Sequence, residues 1–168
     1  MAHTFNRRTF VKLGGIAAGI GGVSILSGCG SSSGSGANSD TIKVGIMGPY
    51  TGDVAQYGLA VRAGAELYVS KFNDEGGANG KKIELVSVDD KSEAAESVNA
   101  ATKLISDDDV KIIVGPATTG LVLAETQTAT DAKVPIIAPC ATSPEATVEN
   151  GKVKPYVFRS CFIDPQQG

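Results

Sequence analysis

The stretch IKVGIMGPYTGDVAQYG, residues 42–58, predicts a strand, a loop and the start of a helix. In its first half aliphatic residues alternate with small or polar ones, which is the pattern of a short strand with a buried face. Gly48 and Pro49 end this strand, and a helical pattern begins at Tyr57. Ligands of open α/β sheets bind beyond the carboxyl ends of the strands, on loops of this kind. We therefore expect the loop between Pro49 and Tyr57 to line part of a small-molecule cleft.

Strand and helix patterns alternate along the rest of the chain. Apolar residues at helical spacing predict helices at residues 57–73, 94–105 and 118–132, and short apolar runs predict strands at residues 83–88, 110–115, 134–138 and 156–159. This alternation predicts an α/β fold with a doubly wound parallel sheet and right-handed crossovers. Residues 164–167, DPQQ, have the pattern of a helix start, so we expect the chain to be the N-terminal part of a longer protein.

The first residues have the features of an export signal. Residues 6–12, NRRTFVK, resemble a twin-arginine signal, and the segment from Leu13 to Leu26 resembles the hydrophobic region that follows it. This segment is rich in glycine and shorter than the about 20 apolar residues that a transmembrane helix needs. It therefore predicts export and not a membrane span.

A cysteine follows this signal in a context that resembles a bacterial lipobox, Leu26–Cys29. The alternative is that Cys29 follows an ordinary signal by chance. We predict a twin-arginine-type lipoprotein signal peptide at residues 1–28, and a lipidated Cys29 with a flexible Gly/Ser tether at residues 29–40. The folded domain is then exported and held at the outer face of the cytoplasmic membrane by its lipid alone.

The charge of the chain after residue 28 argues against nucleic acid as a partner. Three basic residues and no acid lie in the first 28 residues, so the remainder carries 12 basic and 18 acidic residues, a net charge of −6. Such a surface repels nucleic acids and anionic lipid headgroups.

The side chains of common enzyme chemistry are missing from the sequence after the signal. The one histidine is His3, and residues 41–168 contain neither a G-x-S-x-G motif nor a metal-ligand cluster. Asp89 and Asp90 resemble the acidic cluster of phospho-acceptor domains, but no partner acid follows the third strand, so we interpret them as a solvated strand end. We therefore expect no catalytic residue, no metal and no cofactor, and an exported enzyme is the less favoured alternative.

Three predicted strands are followed by loops rich in glycine, proline and hydroxyl groups, at residues 48–52, 115–120 and 139–145. Thr142 and Glu145 have the spacing of a capping box. Backbone amides at a helix N-terminus, beside a threonine hydroxyl, suit a carboxylate. Thr119 and Thr142 at the ends of adjacent strands therefore predict a carboxylate clamp. The alternative is that each threonine caps its own helix.

The order of these motifs resembles the periplasmic branched-chain amino-acid-binding proteins, the substrate-binding components of ABC transporters. The motifs are IKVG-x-x-GP-x-TG-x-x-AQYG, VGP-x-x-TG, P-x-ATSPE and PYVFR, and the resemblance spans residues 42–168. It implies a type I periplasmic-binding fold whose two lobes close on an amino acid, of which residues 41–168 form an incomplete first lobe. It also implies a monomer that binds without catalysis and has an ABC transporter permease as its partner. A ligand sensor, or a binder of amides or aromatic acids, remains an alternative on the same fold.

The resemblance assigns ligand contacts to seven residues: Tyr57, Ala117, Thr118, Thr119, Cys140, Ala141 and Thr142. It implies that Thr119 and Thr142 bind the α-carboxylate, that Thr142 and the Cys140 carbonyl accept from the ammonium, and that Tyr57 packs against the ligand. The acid that completes ammonium recognition belongs to the second lobe.

The chain departs from some members of this family in its cysteines. Those members have a disulfide that involves the loop at residues 89–90, where this chain has no cysteine. Cys140 and Cys161 instead follow strands that we expect to be adjacent, and export permits a disulfide. We therefore expect Cys140 and Cys161 to pair.

Overall fold

The structure, a computed structural model, describes residues 41–167. Its strands and helices are β1 (Thr41–Gly48), α1 (Ala55–Asp74), β2 (Lys82–Asp89), α2 (Ala94–Ser106), β3 (Ile113–Val114), α3 (Thr119–Ala132), β4 (Ile136–Ala138), β5 (Val148–Glu149), β6 (Lys152–Val153) and β7 (Val157–Arg159). Five parallel strands form one sheet in the order β2-β1-β3-β4-β7, and β5 and β6 form a separate antiparallel hairpin. The predicted parallel α/β sheet is confirmed. The predicted signal peptide, Cys29 and the tether lie outside the described residues.

The order of the strands reverses beside β1. The chain passes from β1 to β2 on one side and then returns to place β3 on the other side of β1. β1 pairs with β2 along all of its length and with β3 through Gly45 and Ile46. The connection after β1 leads toward β2, and the connection after β3 leads toward β4, on the opposite side. The loops after β1 and β3 therefore diverge and leave a crevice.

The main core lies between the sheet and the helices α2 and α3. Met47, Leu104, Ile113 and Ile136 are each no more than 1% exposed and belong to one apolar cluster. Gly45 lets α2 approach the sheet, because a Cβ atom there would lie 3.0 Å from Leu104 Cδ1. Each fully buried aliphatic side chain contributes about 1.5–3 kcal/mol to folding, so this cluster fixes the face of the sheet that α2 and α3 cover.

Helix α1 packs mainly on β1 and β2 and leaves much of its surface exposed. Its one buried residue is Gly58. Tyr68 belongs to this exposed surface, because it is 65% exposed and stacks on Phe72 at a centroid distance of 5.8 Å. This surface stays exposed because no other helix of the described residues packs closely on α1. No helix of residues 41–167, the long α1 included, is long and apolar enough to cross a membrane.

Two predicted elements are much shorter than their sequence patterns. The third strand is Ile113–Val114, and the Lys111 amide still bonds the Lys43 carbonyl of β1 before it. Val110 does not join the strand, because its amide bonds the Leu104 carbonyl at the end of α2. The predicted helix start at residue 164 is a single 3-10 turn, Asp164–Gln166.

Gly58 brings the N-terminus of α1 against the loop that follows β1. A Cβ atom at this position would lie 2.1 Å from the carbonyl oxygen of Pro49. At Gly64, on the same helix, an added Cβ atom would meet nothing within 4 Å, so this glycine serves as a matched control.

We expect Gly58→Ala to destabilise the protein by about 1–3 kcal/mol, because the methyl group overpacks a backbone contact. Gly64→Ala should stabilise it by up to about 1 kcal/mol, because alanine favours the helix. Urea unfolding of both variants measures the two effects. Equal changes in the free energy of unfolding of the two variants would contradict the close approach at Gly58.

Two carboxyl groups are buried between the sheet and the helices. Asp90 and Glu125 are both 0% exposed, and Asp90 is therefore not the solvated strand end that the sequence suggested. Ser97 Oγ donates to Glu125 Oε1, whereas Asp90 Oδ2 and Glu125 Oε2 have no partner within the described residues. Burial, and next the charge of Asp90, raise the pKa of Glu125 to about 8, against the lowering effect of the Ser97 hydrogen bond. Glu125 is therefore protonated in the folded state at neutral pH.

The raised pKa of Glu125 makes stability fall as the pH rises. Between the ordinary glutamate pKa and about 8 the folded state holds a proton that the unfolded state has lost, so the free energy of unfolding decreases with pH. We expect a loss of about 2–4 kcal/mol between pH 5 and pH 9, and Glu125→Gln should remove most of it. Urea unfolding across this range tests this, with the exposed Glu84→Gln as control. If the free energy of unfolding fell as steeply with pH in Glu125→Gln as in the wild type, the role of Glu125 would be refuted.

Candidate functional site

A cavity of about 440 Å³ lies at the carboxyl ends of β1, β3 and β4, beside the reversal of strand order. It is lined by Pro49, Val54, Tyr57, Ala117, Thr118, Thr119, Cys140 and Thr142. Six of the seven residues predicted from the sequence therefore line one cavity. Pro49 and Val54 were missed, although both belong to the loop that the sequence placed at the cleft.

The seventh predicted residue, Ala141, does not line the cavity. Its side chain is 0% exposed and packs in a second apolar cluster with Val122, Ala146 and Val157. Its carbonyl oxygen accepts from Cys161 Sγ at 3.4 Å. Ala141 therefore anchors the loop after β4 to the core behind the cavity.

Helix α3 presents its N-terminus to the cavity without a side-chain cap. Thr118 is the residue that precedes the helix, and its side chain makes no capping hydrogen bond. Thr119 is the first helical residue, and its Oγ1 accepts from the backbone amide of Ser143 at 3.4 Å. The alternative that Thr119 caps its own helix is therefore wrong. The first amides of a helix have no partner inside the helix, so α3 offers donors and a partial positive charge to this cavity.

The loop after β4 differs from the predicted capping box. Ser143, not Thr142, caps the following element, because its Oγ accepts from the Glu145 amide at 3.3 Å, and this element is one 3-10 turn, Pro144–Ala146. Pro144 sets this start, since its fixed φ suits the first helical position. Thr142 Oγ1 and its amide have no hydrogen-bond partner among residues 41–167. Because Thr142 lines the cavity, its hydroxyl and its amide remain available to bind a ligand there.

The loop after β1 is held by Asp89 at the end of β2. The Asp89 carboxylate accepts from the Tyr50 amide at 2.9 Å and from Thr51 Oγ1 at 2.7 Å. Partial burial opposes ionisation, but these hydrogen bonds and one from the Lys91 amide lower the pKa of Asp89. Sequence reasoning missed this role, although the position of Asp89 opposite Gly48 at the ends of two paired strands could have indicated it.

Tyr50 is fixed from both ends. Its hydroxyl donates to the Ile46 carbonyl at 3.0 Å, and the Arg62 guanidinium lies 4.7 Å from the centre of its ring. Contacts of a cation with an aromatic face contribute about 0.5–1 kcal/mol at exposed sites. The segment between Pro49 and Tyr57, which forms the apolar wall of the cavity, is thereby tied to β1, β2 and α1.

The cavity lining contains no acid and no strong base. Its titratable side chains are Tyr57 and Cys140, and burial and the nearby Cys161 thiol raise the pKa of Cys140. Both cysteines are free thiols, so the predicted disulfide is not formed in this structure, where Cys161 donates to a carbonyl group. No group of three or more His, Cys, Asp or Glu residues within the described part of the chain could hold a metal ion. Amide and hydroxyl donors beside an apolar wall suit a small ligand with a carboxylate and an apolar group.

The chain is similar to known binding proteins over most of its length. A leucine-, isoleucine-, valine-, threonine- and alanine-binding protein of Pseudomonas aeruginosa is 39% identical over 129 residues, which are 77% of this chain and 34% of that protein. The chain thus spans about a third of the length of this curated relative. The structure of the substrate-binding protein LivJ of the branched-chain amino acid transporter of Streptococcus pneumoniae, in complex with isoleucine, has 42% identity and a TM-score of 0.69, over 74% of this chain and 34% of that one.

A third relative has another kind of ligand. The structure of an ABC transporter solute-binding protein of Rhodopseudomonas palustris in complex with 3,4-dihydroxybenzoic acid has 35% identity and a TM-score of 0.66, over 74% of this chain and 32% of that one. Residues 41–168 also match the model of one protein family, described as periplasmic binding protein. The chain therefore belongs to the periplasmic binding protein family.

Proposed function

We propose that this chain is part of a substrate-binding protein of an ABC importer that captures amino acids, with branched-chain or other hydrophobic side chains favoured. One observation carries the proposal: Thr119 and Thr142, from the ends of two adjacent strands, line a single cavity. The hydrogen bond from the Ser143 amide to Thr119 Oγ1 joins their loops. In this position both threonines can donate to one carboxylate.

The lining divides into two parts that match the two parts of an amino acid. The amides at the start of α3, with the hydroxyls of Thr119 and Thr142, receive the α-carboxylate. Tyr57 and Val54 form the apolar wall against which an aliphatic side chain packs. The Cys140 carbonyl accepts from the ammonium, Ala117 and Thr118 form the floor, and the acid that neutralises the ammonium comes from a second lobe.

The bound ligand would act by shifting a population and would undergo no reaction. It stabilises the closed arrangement of two lobes because it contacts both of them only there. A permease distinguishes the closed form from the open one. The relatives support this proposal, because one is a leucine-, isoleucine-, valine-, threonine- and alanine-binding protein and another is a branched-chain amino acid transporter protein in complex with isoleucine.

A second candidate ligand is an aromatic acid. The described lining contains no carboxylate that would pair with an ammonium, and one relative is in complex with a dihydroxybenzoic acid. An aromatic acid would use the same carboxylate donors and place its ring against Tyr57. Competition between leucine and benzoate for the full-length protein distinguishes these two ligands.

The proposed location follows from the N-terminal residues. The signal-like residues 1–28 and the lipobox cysteine, Cys29, support export followed by lipid attachment. The Gly/Ser tether would then hold the domain near a membrane permease without burying it in the membrane. Such a protein acts as a monomer on the outer face of the cytoplasmic membrane.

Removing both hydroxyls of the clamp should weaken ligand binding. Hydrogen bonds to charged groups contribute about 1.5–3 kcal/mol each, so we expect Thr119→Ala with Thr142→Ala to cost several kcal/mol of leucine affinity in the full-length protein. Isothermal titration calorimetry measures this. Thr128→Ala, on α3 but away from the cavity, is the matched control. An unchanged affinity of the double variant would refute the clamp.

The 168-residue chain on its own should bind leucine far more weakly than the full-length protein. The cavity is open, and a ligand held on one side keeps much of its surface in water. Calorimetry on both proteins, each with folding checked by circular dichroism, makes the comparison. Micromolar binding by the shorter chain would show that residues 41–168 form a complete site.

A further inference from the structure

Arg159, the last residue of β7, contacts the loop that carries Thr142 at three points. Its Nη1 donates to the carbonyl oxygens of Ser143 at 2.7 Å and Ala141 at 3.4 Å, and its Nη2 donates to Thr147 Oγ1 at 3.4 Å. The bond to Ser143 is short and involves a charged donor, which makes it the strongest of the three. One planar guanidinium therefore spans both ends of the loop between Ala141 and Thr147.

The backbone of Arg159 is fixed independently of this loop. Arg159 pairs with Ala138 at the end of β4, and the amide of Ser160 bonds the Ala138 carbonyl at 3.1 Å. Its side chain leaves the sheet on the same face as Val157, which is buried in the apolar cluster around Ala141. The guanidinium is thus held by the sheet and reaches the loop from behind the cavity.

The carbonyl of Ser143 links Arg159 to the turn itself. This oxygen also accepts from the Ala146 amide at 3.1 Å, which closes the 3-10 turn. The Ser143 amide donates to Thr119 Oγ1, so the peptide groups on either side of Ser143 connect Arg159 to the clamp. Because its carbonyls are engaged behind the cavity, the loop is held in the conformation that presents Thr142 to it.

The charge of Arg159 is not neutralised by an acid within the described residues. No ion pair of residues 41–167 includes it, and its acceptors are two carbonyl groups and a hydroxyl. An unpaired guanidinium behind a partly buried loop makes the potential in front of the loop more positive. The partial positive charge at the start of α3 has the same sign and lies at the same cavity.

We propose that Arg159 is a positioning residue for the ligand site, which orders the loop at residues 141–147 and biases the cavity toward ligands with a carboxylate. It does not line the cavity, so it would act on a bound ligand through the loop and through its charge and not by contact. This inference rests on the proposed function only for the identity of the ligand, because the ordering of the loop can be measured without one.

The first experiment measures the loop in the unliganded full-length protein. Arg159→Met should accelerate hydrogen exchange of the Ala146 and Thr147 amides by about tenfold or more, because the turn loses its support, and leave the amides of β1 unchanged. Arg159→Lys should accelerate them too, since an ammonium cannot make the forked contacts. Unchanged exchange in Arg159→Met, or equal acceleration in β1, would overturn the positioning role.

The second experiment compares leucine with leucinamide, which lacks the carboxylate charge. Arg159→Met should weaken leucine binding by about 10- to 100-fold and leucinamide binding much less. Arg159→Lys keeps the charge and should restore part of the preference for leucine. Lys82→Met, at the amino end of the opposite edge strand, removes the same charge and should change neither affinity. Equal losses for the two ligands in Arg159→Met would overturn the electrostatic part of the proposal.

The two experiments separate this inference from the proposed function. A wild-type protein that binds neither leucine nor leucinamide contradicts the proposed amino-acid ligand. In that case benzoate and benzamide, the matched pair for the second candidate ligand, replace them. Hydrogen exchange then decides the role of Arg159 in the loop by the same criteria, and loss of benzoate and benzamide binding to the same extent overturns its electrostatic role.

Discussion

The candidate site depends on how three loops that leave the same edge of the sheet are held from behind. Parallel strands deliver these loops side by side, but strands do not fix the conformation of a loop. The structure supplies the missing restraint from polar groups outside the cavity. Asp89 holds the loop after β1, and Arg159 holds the loop after β4. Both residues stand at the carboxyl ends of the two edge strands of the sheet, β2 and β7, so the edges support the loops of the centre.

Because polar groups outside the cavity hold the loops, hydrogen-bond donors can remain unpaired inside the cavity. A buried carbonyl or amide without a partner costs about 1–3 kcal/mol, so loops normally satisfy their own polar groups. Here the carbonyls of Ala141, Thr142 and Ser143 are satisfied by residues 159–164 on the rear side. The donors at the front are Thr142 and the start of α3, and they can stay hydrated until a ligand replaces the water. The loop is therefore stable without a ligand and is still able to bind one.

Much of this arrangement could be predicted from the sequence, and the part that could not has a physical reason. Alternating patterns and turn residues indicated the parallel sheet, the loops at its edge and the pair Thr119 and Thr142, because these depend on local periodicity and on chain order. The other four predicted residues that line the cavity came from the resemblance to a known family. The start of the turn at Ser143 was placed one residue too early, because two overlapping capping patterns compete there and Pro144 decides between them. Asp90 was placed in solvent, although it is fully buried near Glu125 of α3, since burial of a strand end depends on residues far away in the sequence. The contacts of Asp89 and Arg159 join residues far apart in sequence, and no local pattern reveals them.

The cavity lining also lacks a charged group that an amino acid would need. Its lining offers donors and a positive potential to a carboxylate, yet it contains no anion, so an ammonium placed there would rely on carbonyl groups alone. A charged group that loses water without an opposite charge is costly, and a zwitterionic ligand therefore gains little from this surface by itself. Closing a second surface with an acid over the ligand would remove that cost and exclude water from the carboxylate contacts in the same step. Under the proposed function, the selectivity between an amino acid and an aromatic acid would reside in that second surface, while the residues at this edge of the sheet would set the requirement that both candidate ligands share, a carboxylate.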